Sequence, residues 1–478
     1  MTNNININNN KNNIGKIINT PIASSSGGML LLLTLAIGFV MAMIDVTAVN
    51  VALPDISLNL SIPLTGLVWV VDGYTLTFAA LLLAGGALAD RFGPKNVYQA
   101  GLGIFILGSI LCGAAPNGSA LIAARLLQGL GAAMFMPSSL SLLTHAYEDD
   151  KTRAKMVGIW SAMVGGSSAI GPLVGGILVH GFGWRSVFWI NIPIGLLGIA
   201  LAQILIAPTP KHARDLSILS HALGVLILSA LSFFLIEGPA LGWFSPYVVS
   251  AAVITIVAIS ALIWRERTGS HPLLPAALFE TSGFAAANLT GFLINFALFG
   301  QLFMLSLYLQ QARDADALGA GIQLLPMMAA ITVGNLLSGR ISARVGSRAS
   351  MLGGMIIATI AALFLMATKQ HSPYIYMIVG IMIVSLAVGI AIPAMTTTVM
   401  QISGRAHANS AAAALNANRQ IGALVGVALI GTILHTVPGW DSRLALSFGA
   451  FAIAYGIAGF SIFRFIAISR PKTVAVEA

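Results

Sequence analysis

Gly86-Ala-Leu-Ala-Asp90-Arg91-Phe-Gly93-Pro-Lys95 and Gly339-Arg-Ile-Ser-Ala343-Arg344-Val-Gly346-Ser-Arg348 are one pattern written twice, 253 residues apart. Each copy closes one long apolar run and, after a few polar residues, opens the next. The same offset pairs Gly101 with Gly354. A repeat at constant spacing means that the chain holds two copies of one structural unit. Gly93 and Gly346 permit a tight turn. If the flanking runs cross a membrane, the basic residues of each copy fix that turn on the cytoplasmic side.

Composition makes these runs membrane spans. Of the 478 residues 57% are hydrophobic and only 8% charged, and the mean hydropathy is +0.90. A soluble domain carries about 25% charged residues. Apolar runs occupy 29–53, 67–89, 97–115, 118–141, 156–180, 186–207, 217–236, 246–264, 284–309, 317–339, 350–368, 374–396, 408–434 and 444–467. Each approaches or exceeds the roughly 20 residues that cross a bilayer. The expected fold is an all-α integral membrane protein of fourteen spans. The repeat pairs a six-helix bundle over 29–207 with another over 284–468, leaving two inserted helices over 217–264. Residues 1–28, rich in asparagine and without the apolar core of a signal peptide, are expected to be a disordered cytoplasmic tail, and 469–478 a second one. Parallel six-helix halves around a midplane site are a transporter architecture.

Charge placement orients the spans. With the N-terminus in the cytoplasm, 18 of the 24 Lys and Arg lie on that side and only Arg185, Arg313, Lys369 and Arg443 lie outside. Arg125 and Arg419 remain within spans. The net charge of +9 is therefore a topology signal, because no basic face exists to bind nucleic acid. The single cysteine, Cys112, excludes an internal disulfide and reads as a buried small hydrophobe. No phosphate-binding Gly-x-x-x-x-Gly-Lys-Ser/Thr sequence, metal-ligand spacing or catalytic constellation occurs, so no enzyme activity is expected.

Further motifs lie in order along the first half. They are Asp45-Val-Thr-Ala-Val-Asn50-Val-Ala-Leu-Pro54, Trp69-Val-Val-Asp72-Gly-Tyr74-Thr-Leu76, the Gly86–Lys95 loop, Arg125-Leu-Leu-Gln128-Gly129-Leu-Gly131, Gly171-Pro172-Leu-Val-Gly175-Gly176 and Trp184-Arg185 to Pro193. In this set and order the chain resembles the major facilitator superfamily, in its fourteen-span drug:proton antiporter branch of EmrB/QacA type. The resemblance implies a proton-coupled multidrug exporter in the bacterial inner (plasma) membrane, with both termini cytoplasmic. Its cargo would be lipophilic, often cationic compounds such as quaternary ammonium biocides, dyes and antibiotics. It would work without a cofactor, driven by the proton gradient, with the lipid bilayer, protons and substrate as partners. In a Gram-negative host an adaptor protein and an outer-membrane channel join these. Two alternatives are an exporter of one metabolite or antibiotic on the same fold, and a non-transporting membrane receptor or assembly protein.

The resemblance makes Gly86, Asp90, Arg91, Gly93 and Lys95 a gate that breaks and re-forms during cycling, where the residues alone read as a topology anchor. It makes Gly171, Pro172, Gly175 and Gly176 the hinge associated with exporters, where small residues alone read as close helix packing. Asp45, Asp72 and Arg125 are ionisable groups inside spans, each needing a partner or a wet cavity. They read as proton-coupling residues, and Asp45 and Asp72 also as substrate-binding. With a rise of 1.5 Å per residue they lie about 13, 8 and 10 Å below the outer surface. The bland alternative is a static ion pair. Trp69, Asn295 and Phe299 have cavity-lining character, although an aromatic belt explains Trp69 and helix packing explains the others. Arg419, with Asn416, Asn418 and Gln420, either lines the cavity in the second half or satisfies helix carbonyls.

Overall fold

The computed structural model describes residues 25–147, 149–207, 217–268, 278 and 281–466. Most of the expected N-terminal tail and all of the C-terminal one lie outside them, although Ser25–Gly28 are already helical. Fourteen helices long and apolar enough to cross a membrane follow, with no strand among the described residues. We number them α1 (Ser25–Leu60), α2 (Leu64–Phe92), α3 (Pro94–Gly113), α4 (Gly118–Ala146), α5 (Asp150–Phe182), α6 (Ser186–Leu205), α7 (Ile218–Leu241), α8 (Pro246–Thr268), α9 (Ser282–Gln311), α10 (Ala317–Val345), α11 (Ser347–Leu365), α12 (Tyr374–Gly404), α13 (Ser410–Thr436) and α14 (Trp440–Phe465). The end of the bundle that carries the α2–α3 and α10–α11 turns is called proximal, and the opposite end distal.

The repeated motif repeats in three dimensions. Gly93 and Gly346 have φ of 90° and 87°, values that disfavour a side chain, and their N–H groups close the preceding helices on Ala89 and Ser342. The last cation of each copy then reaches the end of the last helix in its own half. The Lys95 ammonium donates to the Gln203 and Ile206 carbonyls at the end of α6, and the Arg348 guanidinium to the Phe463 carbonyl at the end of α14. Carbonyls left without partners at a helix C-terminus are thereby satisfied by positive charge.

Within each half, small residues let helices touch. Gly101 and Gly131 bring α3 onto α4, and Gly422 and Gly426 bring α13 onto the backbone of α9 at Phe292 and Phe296. The halves meet along α1–α9, α2–α13 and α5–α10. The inserted pair lies beside this seam, with α7 packed on both α2 and α13 and α8 on α7.

Span one is longer than the sequence suggests. It continues through Pro54 to Leu60 instead of stopping near 53. Proline has no N–H and leaves the carbonyl four residues earlier without its helical partner. That carbonyl, of Asn50, accepts from the Ser306 hydroxyl of α9 at 2.6 Å, and the next, of Val51, from the Gln310 amide at 3.0 Å. The bond missing from one half is supplied by the other.

Candidate functional site

The contacts between halves gather at the distal end. Gly175 of α5 packs on Ala48 of α1, while Gly176 and the Pro172 carbonyl meet Ala317, Leu318 and Gly321 of α10. A Cβ on Gly176 would stand 2.7 Å from the Ala317 carbonyl oxygen, so glycine sets this separation. Val68 of α2 packs on Gly431 of α13, and His180 meets Asp316 at 2.9 Å across the α5–α10 lip. Towards the proximal end the same α5 and α10 surfaces part, and a Cβ added to Gly158, Gly165, Gly166 or Gly339 would meet nothing within 4 Å. Between α5 and α10 the close contacts are therefore distal, while Phe299 and Ala417 of the second half also pack on the apolar core of the first.

One polar cluster fills the core of the first half. Asp45, Ser109, Arg125, Gln128 and Asn191, from α1, α3, α4 and α6, are all buried. The Arg125 Nη1 group donates to Asp45 Oδ2 at 2.5 Å and to Gln128 Oε1 at 2.8 Å, and its Nε to the Val70 carbonyl at 2.9 Å. Asp45 Oδ1 accepts from the Asn191 amide at 2.8 Å and from the Gln128 amide at 3.1 Å. Ser109 Oγ accepts from the Gln128 and Asn191 amides at 2.8 and 3.3 Å, and the Tyr74 ring lies 4.6 Å from the guanidinium. A buried ion pair survives when hydrogen bonds satisfy its other donors and acceptors; here both Asp45 oxygens and the Arg125 Nε and Nη1 groups are bonded, while the nearby Asn191 Oδ1 is not. Two apolar spans present a buried amide at the height of the pair, Gln128 one turn after Arg125 and Asn191 on α6. These were the available signals for two members that sequence reasoning missed.

Asp72 does not join this cluster. It is fully buried, and neither carboxylate oxygen has a hydrogen-bond partner. One turn earlier on α2, Val68 faces Gly431 of α13. Three residues earlier, the Trp69 indole donates to Glu237 Oε1 of α7 at 2.7 Å. At about 100° per residue Asp72 points between these directions, into the seam where both halves and the insert converge. Trp69 therefore ties α7 to the first half. Glu237, an acid within an apolar span, is a further residue that sequence reasoning passed over. On its other side α7 meets α13, where the Thr432 hydroxyl reaches the Leu235 carbonyl at 3.4 Å.

In the second half Asn295 is buried and accepts from Arg419 Nε at 3.3 Å, while Arg419 itself is partly exposed. The Asn418 amide satisfies the Asn288 carbonyl at 2.7 Å. Of the two readings of this cluster, Asn418 takes the second by securing backbone, and Arg419, partly exposed, bonds Asn295. Phe299 is half-buried and packs against the apolar cores of both halves.

The family model described as Major Facilitator Superfamily matches residues 35–219, 216–427 and 287–477. A methylenomycin A resistance protein of Bacillus subtilis (strain 168) is 47% identical over 446 residues, 93% of this chain and 96% of that protein. A methylenomycin A resistance protein of Streptomyces coelicolor is 46% identical, covering 92% of each chain. The multidrug resistance protein Stp of Mycobacterium tuberculosis is 32% identical, covering 85% of this chain and 76% of its own. Among solved structures, a mutant of the nucleoside transporter NupG superposes with a TM-score of 0.64 at 13% identity, covering 91% of this chain and all of that one, a likeness of fold.

Proposed function

The chain belongs to the major facilitator superfamily, and from that premise we propose that it exports small lipophilic antibiotics or drugs in exchange for protons. The observation that carries this reading is the buried Asp45–Arg125 pair, set in a bundle of two halves that meet at the distal end. The relatives named for antibiotic and multidrug resistance support the direction of transport. In this reading the proximal end is cytoplasmic, both termini with it, and the membrane is the bacterial inner membrane.

A proton arriving at Asp45 removes the negative partner of Arg125, which keeps the Val70 carbonyl and Gln128. Asp45 lies five residues before Asn50, so a shift of α1 is transmitted to the carbonyls that Ser306 and Gln310 hold. Protonation is thereby linked to distal closure. Asp72, shut in the seam, reaches water only when the halves part and serves as a second proton site. The expectation of a cationic cargo is narrower than this geometry supports: Asp45 is engaged on both oxygens and Asp72 is closed off, so neither offers a free carboxylate to the cavity.

The test is reconstitution into liposomes with an imposed pH gradient. Addition of a transported compound, with methylenomycin A in the panel, should release protons at a rate abolished by a protonophore. Accumulation of compound that ignores the gradient would overturn the exchange.

A further inference from the structure

The second half is poor in negative charge. Between Thr281 and Phe465 the sequence holds three carboxylates, Asp314, Asp316 and Asp441, all at the distal end. Two of these are engaged there: Asp316 with His180 and the start of α10, and Asp441 with the Gln370 backbone N–H. Arg419 stands 17 residues before the distal end of α13, about 26 Å away. Asp45 is held by Arg125. Along the α2–α13 seam, Asp72 lies four residues from the Val68–Gly431 contact and Arg419 twelve, a difference of about 12 Å. Among the described residues Arg419 has no ion pair, and only its Nε is bonded, to Asn295.

Its setting is built. Gly291 leaves room for the Arg419 stem, whose Cγ lies 3.2 Å from the position a Cβ would take there. Asn295, 1% exposed, fixes the inner edge of the guanidinium. Asn295 shares its face of α9 with Ser306, which reaches α1, so this face looks between the halves. Half-buried Phe299 lies one turn on from Asn295. A cation within a span needs an anionic partner or a wet cavity. Here the side chain is partly exposed and no hydrogen bond holds its two terminal nitrogens, which leaves a planar fork of the geometry that matches a carboxylate.

We propose that Arg419, positioned by Asn295, is the anion-recognition element of the cavity, and that the preferred cargo is a small lipophilic carboxylate or comparable planar oxyanion, its apolar body resting near Phe299. This rests on the efflux reading for the word cargo, but the binding itself does not. Such an anion neutralises Arg419 within its span, whereas an organic cation would meet a like charge. Its export from a negative interior is also electrically downhill.

Binding to purified protein in nanodiscs tests the proposal without transport. The probes are naphthalene-2-acetate, its uncharged amide and 2-(naphthalen-2-yl)ethylammonium, followed by equilibrium dialysis. The acetate should bind at least about tenfold more tightly than the amide, the factor that a charge-assisted hydrogen bond supplies. Arg419→Gln should remove that preference, and Arg419→Lys should retain part of it. Variants are compared only if they elute and melt as the parent does. Asn295→Ala, which leaves the charge in place, should lower the preference severalfold and separates positioning from folding. Equal affinities, tighter binding of the ammonium, no measurable binding of the acetate, or a preference unchanged in Arg419→Gln would each overturn the proposal. Proton exchange in liposomes with anion preference absent would sink this inference and leave the efflux reading standing; the reverse result would do the opposite.

Discussion

Replacing Asp45 by Asn changes one heavy atom and should cost as much as a large core truncation. Asp45 accepts from Arg125, Gln128 and Asn191, so it stands in a ring of donors. An asparagine that keeps its oxygen towards Gln128 and Asn191 turns its NH₂ towards Arg125 Nη1, donor against donor, at the position where the carboxylate oxygen lay 2.5 Å away. It also leaves a guanidinium that is 1% exposed without a counter-charge. Breaking a buried pair in this way costs about 3–5 kcal/mol. Arg125→Met strands the carboxylate instead and should cost a similar amount. The double variant Asp45→Asn/Arg125→Met holds no buried charge, and replacing a whole buried pair is often neutral. It should therefore melt above either single variant in detergent, followed by fluorescence-detected size exclusion, while failing to exchange protons. If the two losses simply add in the double variant, the residues are not energetically coupled, and the pair cannot be the element that a proton switches.

Asp72→Asn should leave the melting temperature unchanged to within the equivalent of about 1 kcal/mol, because no hydrogen bond is lost, but should lower the number of protons released per substrate; a melting loss of several degrees would mean that Asp72 has a partner. Gly176→Leu should abolish transport at normal expression, since its side chain meets the Ala317 carbonyl and the start of α10; cysteines near Ala317 should become reachable from the distal side. Lys95→Ala and Arg348→Ala should each cost about 1 kcal/mol or less, as exposed bonds to helix ends do, and their effects should add because they lie in different halves. In a Cys112→Ala background, cysteines at Arg313 and Lys369 should react with an impermeant maleimide in whole cells and those at Arg267 and Arg348 should not, the opposite pattern overturning the assigned orientation.

The fold was legible because its signals are one-dimensional. Span length, the positive-inside count and the 253-residue repeat need no knowledge of how helices are rotated. The site was legible in part for the same reason. Asp45 and Arg125 announce themselves as charges inside apolar runs at comparable height, and they do meet. Asp72, equally conspicuous and at a similar height, turns to another face of the bundle. Which face a residue takes depends on helix rotation, and spans that are apolar all round leave that angle unmarked in the pattern. Gln128, although part of its motif, and Asn191 receive no role because a neutral amide is a quieter anomaly than a charge. The length of span one is hidden because Pro54 reads as a stop; its lost hydrogen bond is replaced from α9, a helix more than two hundred residues away.

That replacement has a bearing on how readily the molecule changes shape. An acceptor bonded within its own helix stays satisfied wherever the helix goes. The Asn50 carbonyl has no such insurance: when α1 and α9 separate, its Ser306 partner leaves and water must take the place. Exchanging a protein donor for water alters the free energy by only about 0.5–1.5 kcal/mol. The contact can thus register the two halves when they close and still release them at little cost, provided that solvent enters as they part. Distal opening is in this sense a wetting event, and a proline placed to interrupt a helix gives the closure its reversibility.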